Sequence, residues 1–208
     1  MYKILYSTIF AISMAYLESA VVVYLREIYY PEGFQFPLVE LPAKLLITEI
    51  GREVATMVML FTYAKSVSRN GRETMAYFMY NFGVWDIWYY IWLKVLIDWP
   101  VSIMEWDILF LIPVPWVGPV LAPVIVSIAL ISAGYIILKK EAQNRPLKLT
   151  LLDWLLEILS GIIIIFSFLT ETNEQMMIDT PAYYAWWIFI LGMIMGLAVF
   201  IRRVYKSE

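Results

Sequence analysis

The stretch LLITEIGREVATMVML, residues 45–60, places four polar residues in an otherwise mainly apolar run: Glu49, Arg52, Glu53 and Thr56. Their spacing of i, i+3, i+4 and i+7 puts them on one face of an α-helix. The whole chain of 208 residues is 62% hydrophobic and 16% charged, with a mean hydropathy of +0.73. Soluble domains are about 45–50% apolar and about 25% charged. Because one small globule cannot bury this apolar excess, the sequence predicts an all-α, polytopic integral membrane protein.

Six hydrophobic windows are long enough to cross a bilayer, which needs about 20 apolar residues per helix. The first window is expected to be an uncleaved span, because its apolar run is longer than the hydrophobic region of a signal peptide. The sequence therefore predicts a single transmembrane domain, 1–208, with spans at about 4–28, 43–65, 74–97, 103–138 (interrupted), 149–170 and 182–203.

The basic residues indicate an orientation. Eleven of the 15 Lys and Arg residues lie at the N-terminus, in the second and fourth connections, or at the C-terminus. The connections 98–107 and 171–181 carry acidic residues and no Lys or Arg. By the positive-inside rule, both termini are expected on the cytoplasmic side. In a prokaryote, the chain is expected in the cytoplasmic membrane.

The other four basic residues fall within or beside the first three windows, close to acidic residues. In the third window, Asp86, Tyr90 and Lys94 recur at i, i+4 and i+8, with Tyr89 beside them. At a rise of about 1.5 Å per residue, Glu18, Glu53 and Asp86 are expected near the bilayer midplane, and Glu49 and Lys94 nearer the outer surface. We expect an outward-opening, carboxylate-rich site on helices one to three, whose predicted binding residues are Glu18, Glu49, Arg52, Glu53, Asp86, Tyr89, Tyr90 and Lys94, with Arg26 nearer the outer surface.

Energetics indicate that these charges need partners. Three charges near the middle of the second window cost about 7.5–10 kcal/mol on the insertion scale, and its eight Leu, Ile, Val and Phe residues return only about 2.4–4.8 kcal/mol. The predicted cluster holds four carboxylates against Arg52 and Lys94. Protons, a bound cation, Arg26 or a cationic ligand are expected to balance this excess.

The segment 99–123 contains four prolines after residue 112, so it is unlike a simple helix. Two interpretations stay open: a re-entrant or interfacial segment that caps the outer mouth of the site, or a long proline-kinked helix. Asp107, beside Trp106, is the residue of this segment most expected to face the site.

Two pairs of small residues have the spacing that allows helices to approach closely: Ala11 with Ala15, and Gly192 with Gly196. Packing within the chain is the favoured interpretation, and a homodimer or a partner subunit is the alternative.

The chain has no Cys and no His, which excludes Cys- or His-ligated metals and imidazole-dependent catalysis. We expect no cofactor, no metal and no nucleic-acid partner; the expected surroundings are the lipid bilayer and a small-molecule, cation or lipid-like ligand. Three function classes remain: binding or transport of a small solute, cation or proton; an intramembrane enzyme for a lipid- or isoprenoid-like substrate, with Glu53 or Asp86 as acid or base; and a structural or assembly protein.

Overall fold

The structure is a computed structural model that describes residues 2–170 and 183–206. The described residues form six helices and one pair of strands: α1 (Tyr2–Tyr29), α2 (Ala43–Val67), α3 (Gly71–Ile97), β1 (Trp106–Phe110), β2 (Trp116–Pro119), α4 (Leu121–Ala142), α5 (Leu151–Leu169) and α6 (Trp186–Lys206). The predicted, mainly helical fold is confirmed. The acidic connection predicted at 171–181 lies outside the described residues.

Four of the described helices, α1, α4, α5 and α6, are long and apolar enough to cross a membrane. This composition is that of a helical membrane protein. Helices α2 and α3 have sufficient length but do not meet the same criterion for apolar composition. Both helices bury polar residues inside the bundle, among them Glu49, Glu53 and Asp86.

Helix α3 is the central element and packs against α1, α2 and α4. Contacts between the ends of the helices show the helix directions. Lys3 at the start of α1 meets Val67 at the end of α2, and Arg72 at the start of α3 meets Glu141 at the end of α4. In the same way, Asp153 near the start of α5 pairs with Arg202 near the end of α6. Neighbouring helices therefore alternate in direction.

The alternative of a long, proline-kinked helix is wrong, because the segment 99–123 forms a β-hairpin up to the start of α4. Strand β1 pairs antiparallel with β2, with Trp106 opposite Pro119 and Asp107 opposite Gly118. Two of the prolines lie in the connection between the strands, and Pro123 lies in the first turn of α4, where a helix needs no amide donor from it. The predicted span from 103 is thus wrong in its first part, since the helix begins only at Leu121.

Both small-residue pairs are used inside the chain. Ala11 and Ala15 are fully buried in a core cluster that α1 shares with α2 and α3. A Cβ atom added to Gly192 would lie 2.7 Å from Ile164 Cγ1, and the Gly192 carbonyl accepts a hydrogen bond of 2.8 Å from Ser160. Ala11, Ala15 and Gly192 therefore take part in helix packing within the chain.

Candidate functional site

A pocket of about 450 Å³ lies between α1, α2, α3 and the β-hairpin. The segment that joins α1 to α2 lines it as well, through Phe34 and residues 38–41. Its charged lining residues are Glu18, Arg26, Glu40, Glu49, Arg52, Glu53, Asp86 and Asp107. Five of these carboxyl residues are at most 9% exposed and are called here the pocket carboxylates: Glu18, Glu49, Glu53, Asp86 and Asp107.

Arg52 links two pocket carboxylates across two helices. Its Nε and Nη2 atoms lie 2.9 and 2.8 Å from Glu49 Oε2, one turn earlier in α2. Its Nη1 atom forms an ion pair with Glu18 on α1. The Thr56 hydroxyl donates a hydrogen bond of 2.9 Å to the other oxygen of Glu18. One guanidinium group therefore serves two carboxylates.

Glu53 connects α2 to the end of the β-hairpin's first strand. Both of its carboxylate oxygens accept from the backbone N–H of Leu111, at 3.1 and 3.0 Å. Leu111 follows directly after β1, where the strand pairing has ended. A backbone amide replaces a basic side chain as the direct hydrogen-bond partner of this carboxylate.

Asp86 lies in the middle of α3 and accepts a hydrogen bond of 2.8 Å from the Ser127 hydroxyl of α4. Gly83, one turn earlier, makes this contact possible. A Cβ atom at Gly83 would lie 2.5 Å from the Ser127 carbonyl oxygen. Among the described residues, Asp86 has no ion-pair partner.

Arg26 and Asp107 tie α1 to strand β1. Their side chains form an ion pair of 3.1 Å, and both residues are buried. The Arg26 guanidinium also lies 3.7 Å from the centre of the Trp99 ring and 4.4 Å from that of Phe34. Such cation–π contacts stabilise a desolvated guanidinium group.

The pocket has an excess of negative charge. Its five pocket carboxylates face two guanidinium groups among the described lining residues, which leaves a formal excess of three. Arg26 balances Asp107, and Arg52 is shared by Glu18 and Glu49. Glu53 and Asp86 have only a backbone amide and a hydroxyl as hydrogen-bond partners.

The remaining walls are mainly apolar and aromatic. Tyr89 and Tyr90 lie on the α3 side with their ring centres 5.0 Å apart, and Trp85 lies one turn earlier. Aliphatic side chains of α1 and α2, including Val22 and Leu46, complete the lining. The pocket thus combines a polar, carboxylate-rich part with walls suited to an apolar group.

The structure brings together all the predicted binding residues except Lys94. Lys94 is half-exposed and pairs with Asp98 at 2.6 Å, away from the pocket. Eight residues on a helix with 3.6 residues per turn rotate a side chain by roughly 80°, so the expected alignment of Lys94 with Asp86 is wrong. Arg26, predicted nearer the outer surface, and Asp107, predicted to face the site, both line the pocket, whereas Trp106 packs against Tyr184, with 6.1 Å between ring centres.

Several pocket features were not predicted from the sequence. Ser127 lies in α4, outside the three helices on which the site was predicted. Its role became visible only through its hydrogen bond to Asp86. Phe34 and residues 38–41 belong to a connection without helical periodicity, so no pattern marks them. The backbone amide of Leu111 has no sequence signature at all.

Comparisons with protein-family models, with curated proteins and with solved structures give no match. The fold and the site therefore define the class of the protein by themselves: a mainly helical chain whose described residues include four apolar helices of membrane-spanning length and a pocket lined by buried carboxylates.

Proposed function

We propose that the chain crosses the membrane six times, with both termini on the cytoplasmic side, and that its pocket binds a small cationic solute as the first step of transport. In a prokaryote this membrane is the cytoplasmic membrane. The alternating helix directions support six crossings, and the basic residues at one end of the bundle support the orientation.

The observation that carries the binding proposal is the formal excess of three negative charges among the carboxylates and guanidinium groups that line the pocket, counting the five buried carboxylates and leaving out the exposed Glu40. Buried carboxylates are costly unless they are paired, hydrogen-bonded or protonated. A bound cation removes this cost, so the empty pocket has a higher electrostatic energy than the loaded one. Ionisable groups within a membrane usually mark a functional site for the same reason.

The lining favours an organic cation over a bare metal ion. A volume of about 450 Å³ falls in the range of small-molecule sites. Tyr89, Tyr90 and Trp85 present rings close to the carboxylates, an arrangement that attracts alkylammonium groups by cation–π contact. The aliphatic walls accommodate an apolar substituent on the same ligand.

A packed barrier beyond the pocket supports transport. Beyond the pocket floor, a core cluster of α1, α2 and α3 fills the bundle, and its members Ala11, Ala15 and Leu60 are fully buried. A solute that enters from the hairpin side therefore meets a closed bundle on the other side. Carriers work by opening and closing such barriers around a fixed site near the midplane.

The test uses benzyltrimethylammonium as the probe and neopentylbenzene, which has the same shape without the charge, as its comparison. We expect the cation to raise the unfolding temperature of the purified protein in mild detergent, and the neutral compound to have no such effect. Asp86→Asn and Glu53→Gln should each weaken the effect at least tenfold in probe concentration, because each removes one of the carboxylates without an ionic partner. Uptake of the labelled cation into proteoliposomes then tests transport.

The matched control is Glu157→Gln, which neutralises a carboxyl group of α5 that does not line the pocket. This variant should respond to the cation as the wild type does. An equal response in all three variants, or no response in the folded wild type, would contradict the proposal. Variants of Glu53 and Asp86 that fail to fold, with a wild type that binds nothing, would instead favour the structural or assembly class.

An enzyme acting on a lipid-like substrate is the second candidate. It is favoured by the Asp86 carboxylate, which uses one oxygen for Ser127 and has a second oxygen without a hydrogen-bond partner among the described residues. Few contacts join α1 and α2, so a lipid chain could enter between them from the bilayer. One lipid species retained at stoichiometric amounts by the wild type and lost in Asp86→Asn, measured by native mass spectrometry, would favour this candidate over the transport of a soluble cation.

A further inference from the structure

A second pocket, of about 710 Å³, lies at the opposite end of the bundle from the carboxylate-rich one. It lies between the first turns of α1 and α3 and the last turns of α4, and it is called here the basic groove. Its polar lining residues are Lys3, Thr8, Arg69, Glu73, Tyr77, Tyr135 and Lys139.

The basic groove carries a net positive charge. Lys3, Arg69 and Lys139 supply three cations, and Glu73 is the single acidic residue among its described lining residues. Glu73 is already occupied, since Arg69 donates to it from Nε at 2.8 Å and from Nη2 at 2.5 Å. The formal excess is therefore two positive charges, carried by the two lysines.

Polar groups of the groove remain available for a ligand. The ammonium group of Lys139 makes no hydrogen bond or ion pair with any residue of 2–170 or 183–206, and the residue is exposed. The Tyr77 side chain is only 6% exposed, yet its hydroxyl has no hydrogen-bond partner in the part of the chain that the structure describes. Lys3 uses one N–H for the Val67 carbonyl, at 2.6 Å, and keeps two others.

The rim of the groove is apolar and exposed. Leu5 of α1 is 54% exposed and Tyr135 of α4 is 49% exposed, and both line the groove. Tyr135 lies four residues before Lys139, so the two share one face of α4. An exposed apolar residue one turn from a free ammonium group suits a ligand with an apolar chain and an anionic head.

We propose that the basic groove binds the phosphate group of an anionic phospholipid from the cytoplasmic leaflet. Lys3 and Lys139 bind the phosphate oxygens, Tyr77 donates its hydroxyl hydrogen, and an acyl chain lies along Leu5 and Tyr135. Basic pockets between helices on the cytoplasmic side suit anionic lipid head groups, and each nearby lysine contributes to their attraction. The free phosphate ion shares the head-group chemistry, but the exposed apolar rim favours the lipid.

The experiment compares lipids of equal acyl composition on the full-length protein by native mass spectrometry. We expect the wild type to retain phosphatidylglycerol in preference to phosphatidylcholine. Lys139→Gln should lower this preference about fivefold, and Lys3→Gln with Lys139→Gln about twentyfold. Tyr77→Phe, which removes only the hydroxyl, should lower it as well.

The matched control is Lys65→Gln with Lys148→Gln, which removes two exposed lysines that do not line the groove. The control should keep the wild-type preference. Equal retention of both lipids, or the same loss in the control as in the groove variant, would overturn the proposal. Inorganic phosphate provides a second arm: if it alone raises the unfolding temperature and this effect requires Lys139, the ligand is a free anion and the assignment to a lipid is wrong. Lys139→Gln alone keeps the proposal testable should the double variant not fold, because Lys139 has no partner to lose.

Discussion

At the scale of single residues, the stability of the carboxylate-rich pocket depends on two guanidinium groups, which are shared among five buried carboxylates. Arg52 contacts both Glu18 and Glu49, which belong to different helices. Removing one member of a buried ionic group leaves its partners desolvated and unpaired. An exposed ion pair such as Lys94 with Asp98 contributes little to the free energy of unfolding, because water solvates and screens both groups.

Arg52→Leu is expected to lower the free energy of unfolding by about 3–5 kcal/mol, because it leaves two buried carboxylates without their cation. The corresponding substitution of the exposed cation, Lys94→Leu, should change the free energy of unfolding by about 1 kcal/mol or less. Titration of the two variants with SDS in mixed micelles measures both effects. Equal losses of unfolding free energy in the two variants would show that burial of Arg52 does not determine its contribution to stability.

The pair of Arg26 and Asp107 gives a second prediction at this scale. Arg26→Met and Asp107→Leu should each destabilise the protein, while the double variant should lose less than the sum by about 1–3 kcal/mol. The reason is that the double variant leaves no unpaired buried charge. A double-mutant cycle of unfolding free energies measures this coupling, and strict additivity would exclude a direct interaction between the two side chains.

At the scale of elements, the pocket depends on close packing between α3 and α4. Gly83 and Gly134 both lie where these helices meet. An added Cβ would lie 2.5 Å from Ser127 O at Gly83 and 2.6 Å from Ala76 O at Gly134. Backbone oxygens cannot move aside as a flexible side chain can, so the helices would have to separate. The contact between Ser127 and Asp86 would separate with them.

Gly83→Ala is therefore expected to destabilise the protein by about 1–3 kcal/mol, the usual cost of an overpacked contact. Gly161→Ala is the control, because nothing lies within 4 Å of an added Cβ at this helical position. The control should be neutral or slightly stabilising, since alanine has the higher helix propensity. Thermal unfolding in one detergent compares the two variants, and a neutral Gly83→Ala would mean that the helices can separate without cost.

At the scale of the whole molecule, the two pockets lie at opposite ends of the bundle. The carboxylate-rich pocket lies beside the hairpin and the end of α1, while the basic groove lies beside the start of α1 and the end of α4. Charge is therefore separated along the bundle axis. In the proposed orientation, the basic end faces the anionic cytoplasmic leaflet, which attracts it.

The absence of native cysteine makes this orientation directly testable. We expect Ser102→Cys, before the hairpin, to react with a membrane-impermeant maleimide in intact cells. Ser68→Cys, between α2 and α3, should react only after permeabilisation. Labelling of both positions from the same side would contradict the six-span arrangement.

The sequence by itself determined the membrane class, the mainly helical fold and most of the charged residues of the pocket. These follow from composition and from the 3.6-residue period, because a charge in an apolar helix is too costly to leave without a partner. The period also placed Glu49, Arg52 and Glu53 together, since they lie within two turns of one helix. Over the eight residues from Asp86 to Lys94 the same reasoning was wrong, because each step of four residues leaves an offset of about 40° around the helix and two steps leave about 80°.

Only the tertiary structure decided the β-hairpin, the pairing of Asp86 with Ser127 and the amide contact of Glu53. Each depends on residues distant in sequence, or on a backbone N–H group that every residue except proline possesses. The basic groove also depends on the tertiary structure, because Lys3, Tyr77 and Lys139 belong to three different helices. Helical periodicity fixes which residues share a face, whereas the packing of the helices fixes which faces meet.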